Sequence, residues 1–221
     1  MLTYPIGIHI INKNSQKRGG TPCISQKKAF ATISLVSVLF LAACGGSTSK
    51  TNEKVPEQIN FLETGELLTL NTTAEEDFVS FTAQNQVFEG LYTLDKKDNF
   101  VPGVAASMPV ISKDQTEYTI KLRDNAKWSD GSHVTADDFV YAWRRAVDPK
   151  TAPSYAALFK DSIKNATEIH EGKLPVSELG VTAPNKETLQ ITLKKPVPYF
   201  ISLLSFETFF PAKTSFCGEA R

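Results

Sequence analysis

The 221 residues carry 24 basic and 24 acidic side chains, a balance that excludes the long-range positive field by which a chain gathers on nucleic acid. Hydrophobic residues at 41% and charged residues at 22% describe a globular domain with a packed core and exclude a disordered chain. The three cysteines, Cys23, Cys44 and Cys217, are too few and too scattered for a disulfide framework or a paired-cysteine zinc site, so neither a metal nor another cofactor is expected.

Taken in chain order, Met1 to Ile24 mixes apolar residues with Pro5, Gly7, Gly19, Gly20 and Pro22. It does not read as a short export leader, and translation is expected to start near Ile24 or Ser25. Lys27 and Lys28 then precede an apolar run of about 15 residues, Ala29 to Ala43. That length is too short to cross roughly 30 Å of hydrocarbon but fits the apolar core of a signal peptide. The run ends Leu41-Ala42-Ala43-Cys44-Gly45-Gly46-Ser47, which resembles the lipobox of bacterial lipoproteins. The resemblance implies cleavage before Cys44 and a diacylglyceryl group on its thiol. A buried helix stopping at glycine is the alternative, and the flanking lysines and the polar stretch Gly45 to Lys54 argue against it.

A mature domain is expected from about Val55. Gln58 to Leu62 reads as a short strand and Leu67 to Leu70 as an extended segment. From Asp77, the spacing of Phe78, Phe81, Val87, Phe88 and Leu91 predicts a helix, with Gly90 as a left-handed stop. Val110-Ile111, the polar turn Ser112 to Thr116 and the alternation of Tyr118, Ile120 and Leu122 predict a hairpin with one buried face.

Asp130-Gly131 favours a turn because glycine accepts positive φ. Thr135 is placed to cap a helix whose first turn holds Asp137 and Asp138, whose buried side holds Phe139, Val140, Trp143 and Val147, and which Asp148-Pro149 ends. Tyr155, Leu158, Phe159 and Ile163 predict another short helix, followed by a loop at Gly172 to Pro175. A turn at Pro184 to Lys186 leads into a strand carrying Leu189, Ile191 and Leu193. Pro196 and Pro198 stop that strand before a helix at Tyr199 to Leu204. Strand pairs mixed with helices, without regular βαβ alternation, argue for an α+β fold.

Several motifs occur together: Phe88-Glu89-Gly90-Leu91, Val101-Pro102-Gly103-Val104-Ala105, Tyr118 to Arg123, Lys127-Trp128-Ser129-Asp130-Gly131, Val134 to Arg145, and Lys195-Pro196-Val197-Pro198-Tyr199-Phe200. Their order from about Gln58 to Pro211 resembles the oligopeptide-binding proteins of ABC transporters, the extracellular solute-binding protein family 5. The resemblance implies a partial first lobe of a periplasmic-binding-protein-like two-lobed receptor (type II), preceded by a signal helix. It divides the chain into a signal peptide with a spurious extension (1–43), a lipid-anchored tether (44–54), an incomplete lobe (55–211) and an aberrant tail (212–221).

The implied partners are oligopeptides, the permease subunits of an ABC importer, and a membrane reached through lipid on Cys44, on the outer face of a Gram-positive cell; no nucleic acid is implied. By position, Glu76, Asp77 and Phe78 fall where the family pairs with peptide backbone, a strand-addition mode, although they equally suit a helix start. Tyr155 occupies the place of a cavity-lining tyrosine, although tyrosine in an amphipathic helix also serves as core. Trp128, Asp130 and Trp143 read as scaffold. The family's acidic residue for the peptide amino terminus would lie beyond residue 221, and a lobe without its opposing wall is expected to bind peptide weakly at most.

Other functions fit less well. His133 and His170 have no accompanying nucleophile motif, phosphate loop or metal spacing, and the adjacent Asp137 and Asp138 point apart on their helix, so no enzyme is read here. A pheromone receptor or adhesin on the same fold, or a fragment without function, remains open on sequence alone.

Overall fold

The computed structural model describes residues 7–10, 58–72, 77–151 and 155–214. Cys44 and Glu76 lie outside the described residues. The chain divides into two compact units, residues 5–62 and residues 63–221 with 1–4. In the smaller, β1 (Gly7–Ile10) pairs in parallel with β2 (Gln58–Phe61), the strand expected at 58–62, with Ile8 opposite Ile59.

The larger unit is α+β. Residues 63–71 form no strand, but their side chains alternate between half-buried and exposed, the period-2 signature of extended chain. Helix α1 (Phe78–Val87) follows, capped by Asp77, whose Oδ1 accepts the Ser80 N–H at 2.9 Å. Gly90 does not end it in a left-handed turn: α1 stops at Phe88, which is already extended at φ −111°. Gly90 is there for space, since a Cβ on it would come within 2.4 Å of the Phe210 ring.

A hairpin that the sequence reading missed comes next, β3 (Tyr92–Leu94) against β4 (Phe100–Pro102). Its turn is organised by the Asp95 carboxylate, which accepts the N–H groups of Lys97 and Asn99 at 2.7 and 3.0 Å. Burial pushes the phenol of Tyr92 well above its ordinary value, and its hydroxyl donates to the Ser107 carbonyl at 3.2 Å.

The main sheet has four antiparallel strands in the order β5 (Val110–Ile111), β6 (Glu117–Lys121), β8 (Thr188–Thr192) and β7 (Val181–Asn185). Tyr118 and Ile120 face the core as expected, opposite Ile191 and Leu189 of β8, and Leu122 and Leu193 just past the strand ends are buried as well. The first strand of the expected hairpin is open, with Val110 74% exposed.

The expected turn at Pro184 to Lys186 is displaced. Val181–Asn185 is a strand, and the reversal falls at Lys186-Glu187. Proline fits within β7 because β7 is a sheet edge with a register shift between Thr182 and Asn185, where a missing N–H breaks no central ladder.

Helix α2 (Ala136–Val147) packs across β7 and β8 and buries Phe139, Val140, Trp143 and Val147, as the spacing predicts. Each large apolar side chain fully removed from water there contributes about 1.5–3 kcal/mol. Helices α3 (Ala156–Ser162) and α4 (Ala166–His170) lie against it; α4, which starts from Asn165 at φ +66°, was not foreseen. After Pro196 and Pro198 comes the single turn α5 (Phe200–Leu203), then a 3₁₀ turn at Glu207–Phe209. Packing continues past Pro211: the Ala212 N–H reaches the Asp138 carbonyl at 3.3 Å, and Lys213 pairs with Asp130.

The start of α2 is held by one carboxylate. Asp138 Oδ2 accepts the Thr135 N–H at 2.8 Å, the Thr135 hydroxyl at 3.0 Å and the indole N–H of Trp128 at 3.3 Å. This is the reciprocal half of a capping box, with the preceding turn tied in through Trp128. Asp138→Ala is expected to lower stability by about 1–2 kcal/mol, read as a shift in the urea midpoint at unchanged slope. An unchanged midpoint would remove this cap from the account.

Candidate functional site

The residues proposed from sequence to meet a ligand fall on two helix starts. Asp77 closes the N-terminus of α1 with its own side chain, so the helix-start role holds for it. Phe78, the first residue of α1, is 78% exposed and contributes no core contact of note. Tyr155 caps α3 and is half-buried. Glu76 and the lipidation candidate Cys44 are outside the described residues.

An aromatic junction ties the two helix starts together. The Phe81 ring, one turn into α1, meets Tyr155 edge-on at 5.5 Å and 72°. Phe206 packs tilted against both, at 5.4 Å from Phe81 and 5.3 Å from Tyr155. Offset and edge contacts of this kind contribute about 0.5–1.5 kcal/mol each beyond area burial. Tyr155 is therefore a member of a half-buried aromatic cluster beside the start of α1. Sequence reasoning had Phe81 on a helix face and did not single out Phe206. The dense run Phe206, Phe209, Phe210 was the available signal.

The scaffold residues behave as expected. Trp143 is fully enclosed and donates its indole N–H to the Phe209 carbonyl at 3.0 Å. Asp130 opens the turn in which Gly131 takes φ +86°. The Lys213 ammonium, then the Ser132 hydroxyl at 2.7 Å and its backbone N–H at 3.0 Å, hold the Asp130 carboxyl well below the usual range. Arg123 pairs with Glu89 and joins the Phe88 to Leu91 segment to the end of β6.

Open clefts of about 490 Å³, beside Lys164, Thr167 and Lys194, and 540 Å³, beside Arg123, His133 and Lys186, mix both charge signs and include none of Asp77, Phe78 and Tyr155. Among the described residues no group of three or more His, Cys, Asp or Glu side chains is placed to hold a metal ion, and no helix is long and apolar enough to cross a membrane.

With this geometry in hand, comparison with known proteins is informative. Residues 99–217 match the model of bacterial extracellular solute-binding proteins, family 5 (middle region), more than half of the chain. The dipeptide-binding protein of Lactococcus lactis is 40% identical over 181 residues, 82% of this chain and 32% of that protein. The periplasmic oligopeptide-binding protein OppA of Escherichia coli is 50% identical over 119 residues, 53% of this chain and 22% of that protein. Among solved structures, Listeria monocytogenes OppA bound to peptide is 48% identical with a TM-score of 0.68, covering 71% of this chain and 31% of that one. The pheromone receptor PrgZ, 43% identical, has a TM-score of 0.66 over 68% of this chain and 30% of that one.

The chain thus spans about a third or less of the length of these relatives. Its α+β fold is part of a type II periplasmic-binding-protein-like receptor, and the relatives are solute-binding proteins rather than enzymes. On the family match and these likenesses, the chain belongs to the bacterial extracellular solute-binding proteins of family 5.

Proposed function

We propose that this chain is part of the substrate-binding lipoprotein of an oligopeptide ABC importer, capturing peptides outside the cell for delivery to the permease. The observation that carries the reading is the likeness to Listeria monocytogenes OppA, a structure with peptide bound. In this reading residues 1–43 hold a signal peptide behind a spurious N-terminal extension, lipid on Cys44 tethers the chain to the outer face of a Gram-positive membrane, residues 44–54 form the tether, and the lobe follows over 55–211. Asp77 and Phe78, with Glu76 before them, border the ligand together with Tyr155. Phe78 is accessible for this role, 78% exposed at the helix start.

The anchor has a direct test. Expressed in a Gram-positive host, the chain is expected to be cut before Cys44, and mass spectrometry of the N-terminal fragment should show a diacylglyceryl-modified cysteine. Cys44→Ser should accumulate as uncut precursor. Cleavage at another residue, or an unmodified Cys44, contradicts this part of the reading.

The likeness to PrgZ favours a second reading, a receptor for a signalling peptide on the same fold. Deleting the gene and supplying peptides as the sole amino-acid source separates the two. Lost growth supports nutrition; normal growth with a lost peptide response supports signalling.

A further inference from the structure

Helix α1 buries the wrong residues for an ordinary surface helix. Beside the buried Val79 its enclosed side carries Ser80 and Gln84, both with no exposure, while Phe78 stands in solvent. Among the described residues the Gln84 amide has no hydrogen-bond partner at its nitrogen or its oxygen. The Thr208 hydroxyl, 1% exposed, has none either. Helix α1 rests here on the 3₁₀ turn Glu207–Phe209, where the exposed Asn85 amide donates to Glu207 Oε1.

Glu207 is 7% exposed, and among the described residues it forms no ion pair. Buried polar groups without partners are costly, and a buried carboxylate without a counter-charge is costlier still.

These groups share one chemistry. Gln84 Oε1, Thr208 Oγ1 and the Glu207 oxygen that does not accept from Asn85 can each accept, and an ammonium offers three N–H donors and no acceptor. Phe81 lies three residues before Gln84 on α1, and Phe206 immediately precedes Glu207, so the aromatic junction of Phe81, Tyr155 and Phe206 adjoins the same seam. Ring faces attract a cation and shield it from water. Gln84 Nε2 is left as a donor for a carbonyl of the same ligand.

We propose that this seam is a subsite for the ammonium or guanidinium group of a basic peptide side chain. The identity of the ligand rests on the peptide-receptor reading; the cation site does not, and the test separates the two. The full chain, labelled with ¹⁵N at its glutamines and held in detergent, is titrated with n-butylammonium chloride against n-butanol at matched ionic strength. It is then titrated with the tripeptides Ala-Lys-Ala and Ala-norleucine-Ala. The readout is the Gln84 side-chain amide signal, assigned by its loss in Gln84→Ala.

Butylammonium is expected to move this signal at a concentration at least about tenfold below that of butanol, and the lysine peptide to bind at least about tenfold more tightly than the norleucine peptide. Glu207→Gln should abolish both preferences and melt no lower than the parent, since it removes a buried charge. Equal responses to butylammonium and butanol, a preference that survives Glu207→Gln, equal binding of the two peptides, or a Glu207→Gln variant that melts well below the parent would each overturn the proposal. Discrimination of butylammonium through Glu207 with no binding of either peptide would leave the cation site standing and sink the peptide-receptor reading instead.

Discussion

Trp143→Ala is expected to lower stability by about 3–5 kcal/mol, against a total of about 5–15 kcal/mol for a domain of ordinary stability. The side chain is fully enclosed, and its ring meets Phe159 at 5.9 Å and Phe209 at 5.3 Å, both edge-on. Those two rings stack on each other at 4.2 Å, so Trp143 closes a three-ring cluster between α2, α3 and the 3₁₀ turn. Truncation leaves a cavity there and strips the Phe209 carbonyl of its 3.0 Å partner. Trp143→Phe separates the two contributions, because it keeps most of the ring but not the N–H; its expected cost is about 1–3 kcal/mol. Urea unfolding followed by far-ultraviolet circular dichroism measures both without depending on the deleted fluorophore. A Trp143→Ala variant within about 1 kcal/mol of the parent would show that this cluster does not hold the lobe together.

Gly103→Ala is expected to cost about 1–3 kcal/mol or more, by a different mechanism. A Cβ at Gly103 would sit 2.6 Å from the Gly90 carbonyl oxygen. That carbonyl is fixed, since it accepts the Val104 N–H at 2.9 Å while the Gly103 N–H goes to the Leu91 carbonyl at 2.9 Å. Backbone presses on backbone, so no side chain can rotate to make room. Gly131 offers the contrast: a Cβ added there would meet nothing within 4 Å, and only its φ of +86° resists substitution. Asparagine tolerates left-handed backbone, so Gly131→Asn should recover much of what Gly131→Ala loses, whereas Gly103→Asn should recover nothing. Thermal melts of the four variants read this pattern directly, and recovery at residue 103 would contradict it.

Much of the fold was legible wherever local signals agreed with tertiary packing. Helix α2 shows both ends in its sequence, Thr135 with Asp138 at the start and Asp148-Pro149 at the stop, and an apolar side between them. The alternation of Tyr118, Ile120 and Leu122 and of Leu189, Ile191 and Leu193 likewise marks two core strands. Strand β7 was hidden by Pro184, which only an edge position permits, and α4 by its five-residue length and uncapped start. In α1 the apolar spacing marked a helix but not its buried side, which carries Val79, Ser80 and Gln84.

Of the residues proposed for the site, only their place on helices can be scored. Asp77 and Tyr155 could be placed by motif order, and both do open helices. Phe206, Glu207 and Thr208 could not, because what makes them notable is a neighbour such as Asn85, 122 residues away from Glu207 in the chain.

The central claim is that this lobe meets peptide along the start of α1 and at Tyr155. Its most direct test is photo-cross-linking of the full chain with a short peptide carrying a benzoylphenylalanine, followed by mass spectrometric mapping, since covalent capture reports even weak encounters. The account predicts cross-links concentrated in the fragments containing residues 76–78 and Tyr155, competed by unlabelled peptide and reduced by Phe78→Ala. Cross-links spread over the surface, or competed labelling confined to the edge strand at Val110 and Ile111, would contradict it.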